Sequence, residues 1–197
     1  MESSLSNTKF SQEIALQTVR IEEGFWFQKQ KVNAETAIFY QWEQFEKTGR
    51  LDNFRGVIDS NKGQHQGFFY NDSDVHKWAE AAAYIYGDTQ NASILDLLNE
   101  YISLVTAAQE DDGYLFTYNQ LHFPGQRWIN LQIEHELYTL GHFIEAGIAA
   151  KISFGEQVLF ESVSKTADLV VEQFSGASSI ETPGHQEIEI ALIRLYK

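Results

Sequence analysis

His135 and His142 stand seven residues apart in an otherwise largely apolar run from Leu131 to Ala146, with Glu134, Glu136 and Glu145 close by. Imidazoles and carboxylates transfer protons, hold metals and hydrogen-bond polar ligands, and burying them among apolar neighbours is costly unless something compensates. Seven residues are two turns of an ideal helix, so His135 and His142 share one stripe, which Glu145 continues. His135-Glu136-Leu137-Tyr138-Thr139 resembles the start of a zinc-protease motif, but Thr139 occupies the position the second histidine must hold. Two ligands two turns apart on a straight helix are too distant for a mononuclear centre, so no metal is assigned to this pair. His142 reads as a helix histidine bonded to a neighbour. His135 differs, because it lies near the start of its helix and follows a loop carrying Arg127 and Trp128. His185, after Pro183-Gly184 at the start of the last helix, would reach the same end of the molecule. Both are candidate ligand contacts.

Other groups are weighed by the same chemistry. Asp72 and Asp74 could form a carboxylate pair for acid–base work, which needs controlled separation and different proton affinities; helix capping explains them better. Glu110, Asp111 and Asp112 lack the alternating ligands and closing glutamate of a calcium loop and read as a turn. The four tryptophans, Trp26, Trp42, Trp78 and Trp128, are available for stacking but suit a core. Tyr40-Gln41-Trp42 sets an amide between two aromatics, which marks Gln41 as a further hydrogen-bonding candidate.

The elements that must position these groups are helical. Only two prolines occur, Pro124 and Pro183, both in loop-like stretches. Apolar spacing predicts helices from Phe25 to Lys47 with Gly49 as a stop, then a polar link, then a helix capped at Asn71-Asp72-Ser73-Asp74 and closed by Gly87. A partner carries Ile94 to Ala108 and ends at Asp111-Asp112-Gly113; further helices are expected over about 131–154 and 157–174, with a loop from Ser175 to His185. The last segment, Glu187 to Lys197, ends without Gly, Pro or a polar tail, as if cut mid-structure. Antiparallel hairpins of this kind close either into an α/α toroid, the favoured architecture, or into a bundle or solenoid.

Composition sets bounds. A chain of 197 residues with 43% hydrophobic and 14% aromatic content can bury a core. A net charge of −14 with scattered Lys and Arg argues against nucleic acid as a partner. The absence of cysteine excludes disulfides, thiolate metal ligands and a cysteine nucleophile in this sequence. The start, Met1 to Phe10, has no basic or apolar signal region, and no later stretch approaches the ~20 apolar residues of a membrane span, so a cytoplasmic location and no membrane partner are expected.

Four ordered motifs carry a resemblance: Asp72-Ser73-Asp74-Val75-His76-Lys77-Trp78-Ala79-Glu80-Ala81-Ala82, Asp112-Gly113-Tyr114-Leu115, His135-Glu136-Leu137-Tyr138 and Gly184-His185-Gln186-Glu187-Ile188-Glu189. In this order they resemble the amino-terminal part of the β-L-arabinofuranosidases, glycoside hydrolase family 127. The resemblance implies an incomplete all-α (α/α)6 toroid, with residues 1–23 as a lead-in helix or arm and 24–197 as a partial catalytic barrel truncated at its C-terminal end. It implies a retaining hydrolysis in which a zinc-bound cysteine thiolate attacks the sugar and a glutamate protonates the leaving oxygen. A chain without cysteine supplies neither thiolate nor thiolate ligands, so no cofactor and no turnover are expected of it alone; zinc belongs to the full-length family. His135, His185 and Gln41 match positions that contact the sugar, and an L-arabinofuranoside is the implied ligand. Gln186 stands where the family often shows proline. The alternative is a non-catalytic helical module whose open edge is covered by a second copy or a complementary chain.

Overall fold

The computed structural model describes residues 14–15, 18–59, 64–178 and 180–197. Most of the 1–23 lead-in expected from sequence lies outside them. Among the described residues every regular element is helical. The first pair, α1 (Gly24–Val32) and α2 (Ile38–Lys47), is one continuous rod interrupted by a π-helical stretch at Asn33–Ala37. The indole N–H of Trp78 donates to the Ile38 carbonyl at 2.8 Å where the rod resumes. Gly49 then takes a left-handed conformation (φ 74°) and starts α3 (Arg50–Ile58), a helix inside the stretch expected to be a polar link. Its apolar signal is short: Leu51 and Phe54 are buried, but Arg50, Asp52 and Arg55 break the run.

The centre is built by α4 (Asp72–Thr89), α7 (Glu136–Phe154) and α9 (Glu187–Tyr196). Lys77 meets Tyr138, Tyr84 and Glu80 reach Arg194 beside Glu145, and Gly87 abuts Ser153, so α4 and α7 run in the same direction. Glu187 faces His142 and Arg194 faces Glu145, so α9 runs with them. Between these rods α5 (Ala92–Ala108) and α8 (Val158–Phe174) return the chain. The first return is set by Gln90 in a left-handed conformation and by the Asn91 side chain, which accepts the Ser93 N–H at 2.9 Å. The second is set by Gly155. Helix α7 is buried almost all round, as an inner helix must be, whereas α8 buries only Leu159, Ser162, Val163, Thr166, Ala167 and Val170 along one stripe.

Two expectations are corrected here. The helix carrying His135 begins at Glu136 rather than near Leu131, since residues 128–135 form turns that start and end in the left-handed region, at Trp128 (φ 65°) and His135 (φ 62°). Asp72 does not cap its own helix. Its carboxylate accepts the Thr117 N–H and Oγ1–H, both at 2.7 Å, and so caps α6 (Thr117–His122), a helix too short to be read from periodicity. Asp74 pairs with Arg50 at 3.1 Å.

His65 is a buried imidazole with neither ring nitrogen hydrogen-bonded, edge-on to Tyr118 at 5.3 Å and near His122. Burial, with a lesser push from His122, lowers its pKa to about 4. The unfolded chain therefore binds more protons than the folded one between about pH 4 and the ordinary histidine value near 6.5, and stability rises with pH across that window. His65→Phe should remove about 1–2 kcal/mol of this acid-side loss, allowing for screening close to the surface. Urea melts of the two proteins at pH 4.5 and 7 measure it; an equal pH slope in both would exclude His65 as its source.

Candidate functional site

The starts of α4, α7 and α9 meet at one end of the molecule, and the candidate histidines meet with them. His135 and His185 lie with ring centroids 4.7 Å apart. Tyr138, in the first turn of α7, packs against both, at 5.4 Å from His135 and 4.9 Å from His185. Phe69 and Tyr70, in the loop before α4, close the other side of His135 at 5.4 and 5.7 Å. The result is a half-open aromatic cradle with His185 at its exposed rim.

What brings the two imidazoles together is a contact between their loops. The Gly184 N–H donates to the Leu131 carbonyl at 3.3 Å, and a Cβ on Gly184 would lie 2.4 Å from the Gln132 carbonyl oxygen. Only a residue without a side chain admits that approach. The adjoining His135 is oriented by its own backbone, since its Nδ1 lies 2.5 Å from the Ile133 carbonyl. A carbonyl only accepts, so Nδ1 carries a proton and Nε2 is the nitrogen left for a ligand hydroxyl.

Behind the cradle the groups are charged. Lys77 Nζ donates to the Tyr138 hydroxyl at 3.0 Å and lies 3.8 Å from Asp74. Lys77 also lines an open depression of about 370 Å³ shared with Gln41, Asp74 and Trp78. Gln41 is thus placed beside the cation that touches the cradle, not in ring contact with the histidines. His142 packs on Tyr138 at 4.5 Å and is 3.4 Å from a Glu187 carboxylate oxygen, without a hydrogen bond at Nδ1. Burial and the nearby Lys77 lower its pKa to about 4, so it is neutral at pH 7. Deeper along the same seam, burial outweighs the contacting Arg194 guanidinium and, with Glu80 and Glu187 nearby, pushes Glu145 up to about 7.

Sequence reasoning missed Tyr138, Lys77, Phe69 and Tyr70. Tyr138 and Lys77 stand within motifs already singled out, so spacing offered a signal: Tyr138 is one turn after His135 on the same helix face. Phe69 and Tyr70 carry no periodic signal at all. Of the tryptophans, Trp42 and Trp78 are core residues packed 4.5 Å apart, and Trp128 packs against Tyr114 and Phe174. The zinc implied by the resemblance does not fit the residues present: the sequence has no cysteine, and among the described residues no group of three or more His, Asp or Glu could hold a metal.

Parallel inner helices, antiparallel returns and a polar mouth at the inner helix starts are the arrangement of an incomplete helical toroid of the (α/α)6 type. Residues 18–197 match the family described as the beta-L-arabinofuranosidase GH127 catalytic domain, and the chain belongs to it. A non-reducing end beta-L-arabinofuranosidase of Bifidobacterium longum subsp. longum is 28% identical over 91% of this chain and 31% of its own length. A crystal structure of a GH127 beta-L-arabinofuranosidase from Geobacillus stearothermophilus T6 superposes with a TM-score of 0.85 at 35% identity, covering 90% of this chain and 29% of that one. A second GH127 beta-arabinofuranosidase structure gives 0.81 at 30% identity, covering 90% and 30%. The chain therefore spans about three-tenths of the length of these relatives.

Proposed function

We propose that this chain supplies one face of an L-arabinofuranoside site in a retaining glycoside hydrolase, with His135, His185 and Gln41 hydrogen-bonding ring hydroxyls. The observation that carries the reading is the facing pair of imidazoles, 4.7 Å apart, on an aromatic cradle at the starts of the inner helices. Aromatic faces suit the C–H side of a sugar ring, and imidazole nitrogens suit its hydroxyls. Zinc and thiolate chemistry would have to come from residues other than those of this chain, so it binds without turnover. The exposed apolar side chains Ile190 and Ile193 on α9 support a further part of the reading, that a second copy or a complementary chain covers the open edge at this helix.

The test is titration of the chain with L-arabinose, followed by NMR. His135→Ala and His185→Ala should each weaken binding about 3- to 10-fold, the worth of one hydrogen bond. Unchanged affinity in both variants would remove the site assignment.

A further inference from the structure

We propose that Glu136 is a positioning residue that staples the segment from Trp128 to His135 and thereby holds the His135 imidazole against His185. The inference rests on the sugar reading for its purpose, but its geometry stands independently. Both corners of this segment are non-glycine residues in the left-handed region, where a side chain crowds its own backbone. Such conformations persist only when the surroundings over-determine them.

One carboxylate does this at both ends. Glu136 follows the His135 corner directly along the chain, and its side chain reaches back to the other corner. Oε2 accepts the Trp128 N–H at 2.9 Å and Oε1 lies 3.2 Å from the same nitrogen. The Tyr114 hydroxyl donates to Oε1 at 2.6 Å. Tyr114 is itself fixed, with Trp128 edge-on to its ring at 5.3 Å and the Arg127 guanidinium 4.1 Å from its centroid. Glu136 is fully buried, so it does not touch a ligand in the cradle. Nor does it serve an ion pair: Arg127, the nearby cation, is engaged by Glu110 and Asp112. What its burial secures is the path of the loop, and the product of that path is the direction of His135.

The experiment is side-chain NMR on the full chain, reading the cross-peak between the His135 and His185 rings and the nitrogen shifts that report the Nδ1–H tautomer of His135. Glu136→Met should abolish the cross-peak and average the tautomers, while the buried contact of the His76 imidazole Nδ1 with the Tyr101 hydroxyl, 2.8 Å apart in the core, persists as proof of folding. Glu136→Gln, which keeps a carbonyl acceptor for Trp128, should retain both signals. A folded Glu136→Met with cross-peak and tautomer unchanged overturns the proposal. Should that variant not fold, Tyr114→Phe decides: a weakened cross-peak supports the staple and an unchanged one overturns it. L-Arabinose added to the wild-type chain separates the two readings, because an intact ring contact with no response to the sugar would sink the sugar reading alone.

Discussion

Gly113→Ala is expected to destabilise the fold by about 3–4 kcal/mol, enough to consume much of a typical domain's stability. Two effects add. Gly113 has φ 99°, where a Cβ is strained, and that Cβ would stand 2.5 Å from both the carbonyl carbon and oxygen of Lys165 and 2.8 Å from the Thr166 nitrogen. These are backbone atoms inside α8 and cannot rotate aside. The same junction holds its polar groups in register: Thr166 Oγ1 donates to the Gly113 carbonyl at 2.7 Å, and the Gln109 amide donates to that carbonyl and to the Ser162 carbonyl. Gly155→Ala is the control, since it shares a positive φ of 78° but has open space around it and should cost only about 1 kcal/mol. Equal losses in the two variants, from denaturant melts, would show that conformation and not the clash governs.

The second large effect is functional. Gly184→Ala should weaken L-arabinose binding by about 100-fold while lowering stability by only about 1–2 kcal/mol, because the clash falls between two surface loops instead of inside the core. The added methyl meets the Gln132 carbonyl and must push the 180–186 segment away from the 128–135 segment. That motion separates His185 from His135 without altering either residue. Both imidazoles are lost to the ligand together, so the effect exceeds that of removing one. Retained affinity in a folded Gly184→Ala protein would mean that the two rings need not meet to bind.

How far the sequence was legible depends on the range of the forces involved. Helices α4, α5, α7 and α8 announce themselves because their apolar periodicity runs long enough to be counted, and the turns at Gly49, Gly113 and Gly155 follow from residue type. His135 and His185 were found through motifs, and that they face each other agrees with the expectation that both lie at one mouth. Helix α6 and the short α3 were not legible, since six or nine residues hold too little periodicity. The unwound start of α7 is hidden for a different reason: Ile133 and Leu137 stand at helical spacing, whereas the bonds that hold the turns, Trp128 N–H to the Glu136 carboxylate and Gly184 N–H to the Leu131 carbonyl, leave no mark in periodicity. Asp72 was misjudged likewise, because its partner Thr117 lies far along the chain.

The shared direction of α4, α7 and α9 has an electrical consequence. Peptide dipoles aligned along each rod leave partial positive charge at its N-terminal end, and here three such ends converge. Each carries acids in its first turn: Asp72 and Asp74, Glu136, and Glu187 with Glu189. The peptide ends add to hydrogen bonds that enclose Asp72 and Glu136 without a lysine or arginine bonded to them: Thr117 N–H and Oγ1–H for the first, Tyr114 O–H and Trp128 N–H for the second. Each end supplies about half a positive charge, so the three together offset only part of the five first-turn carboxylates, and this end of the molecule keeps a negative balance. The sign of that balance matches the protein as a whole, whose net charge is −14, and disfavours an anionic ligand there.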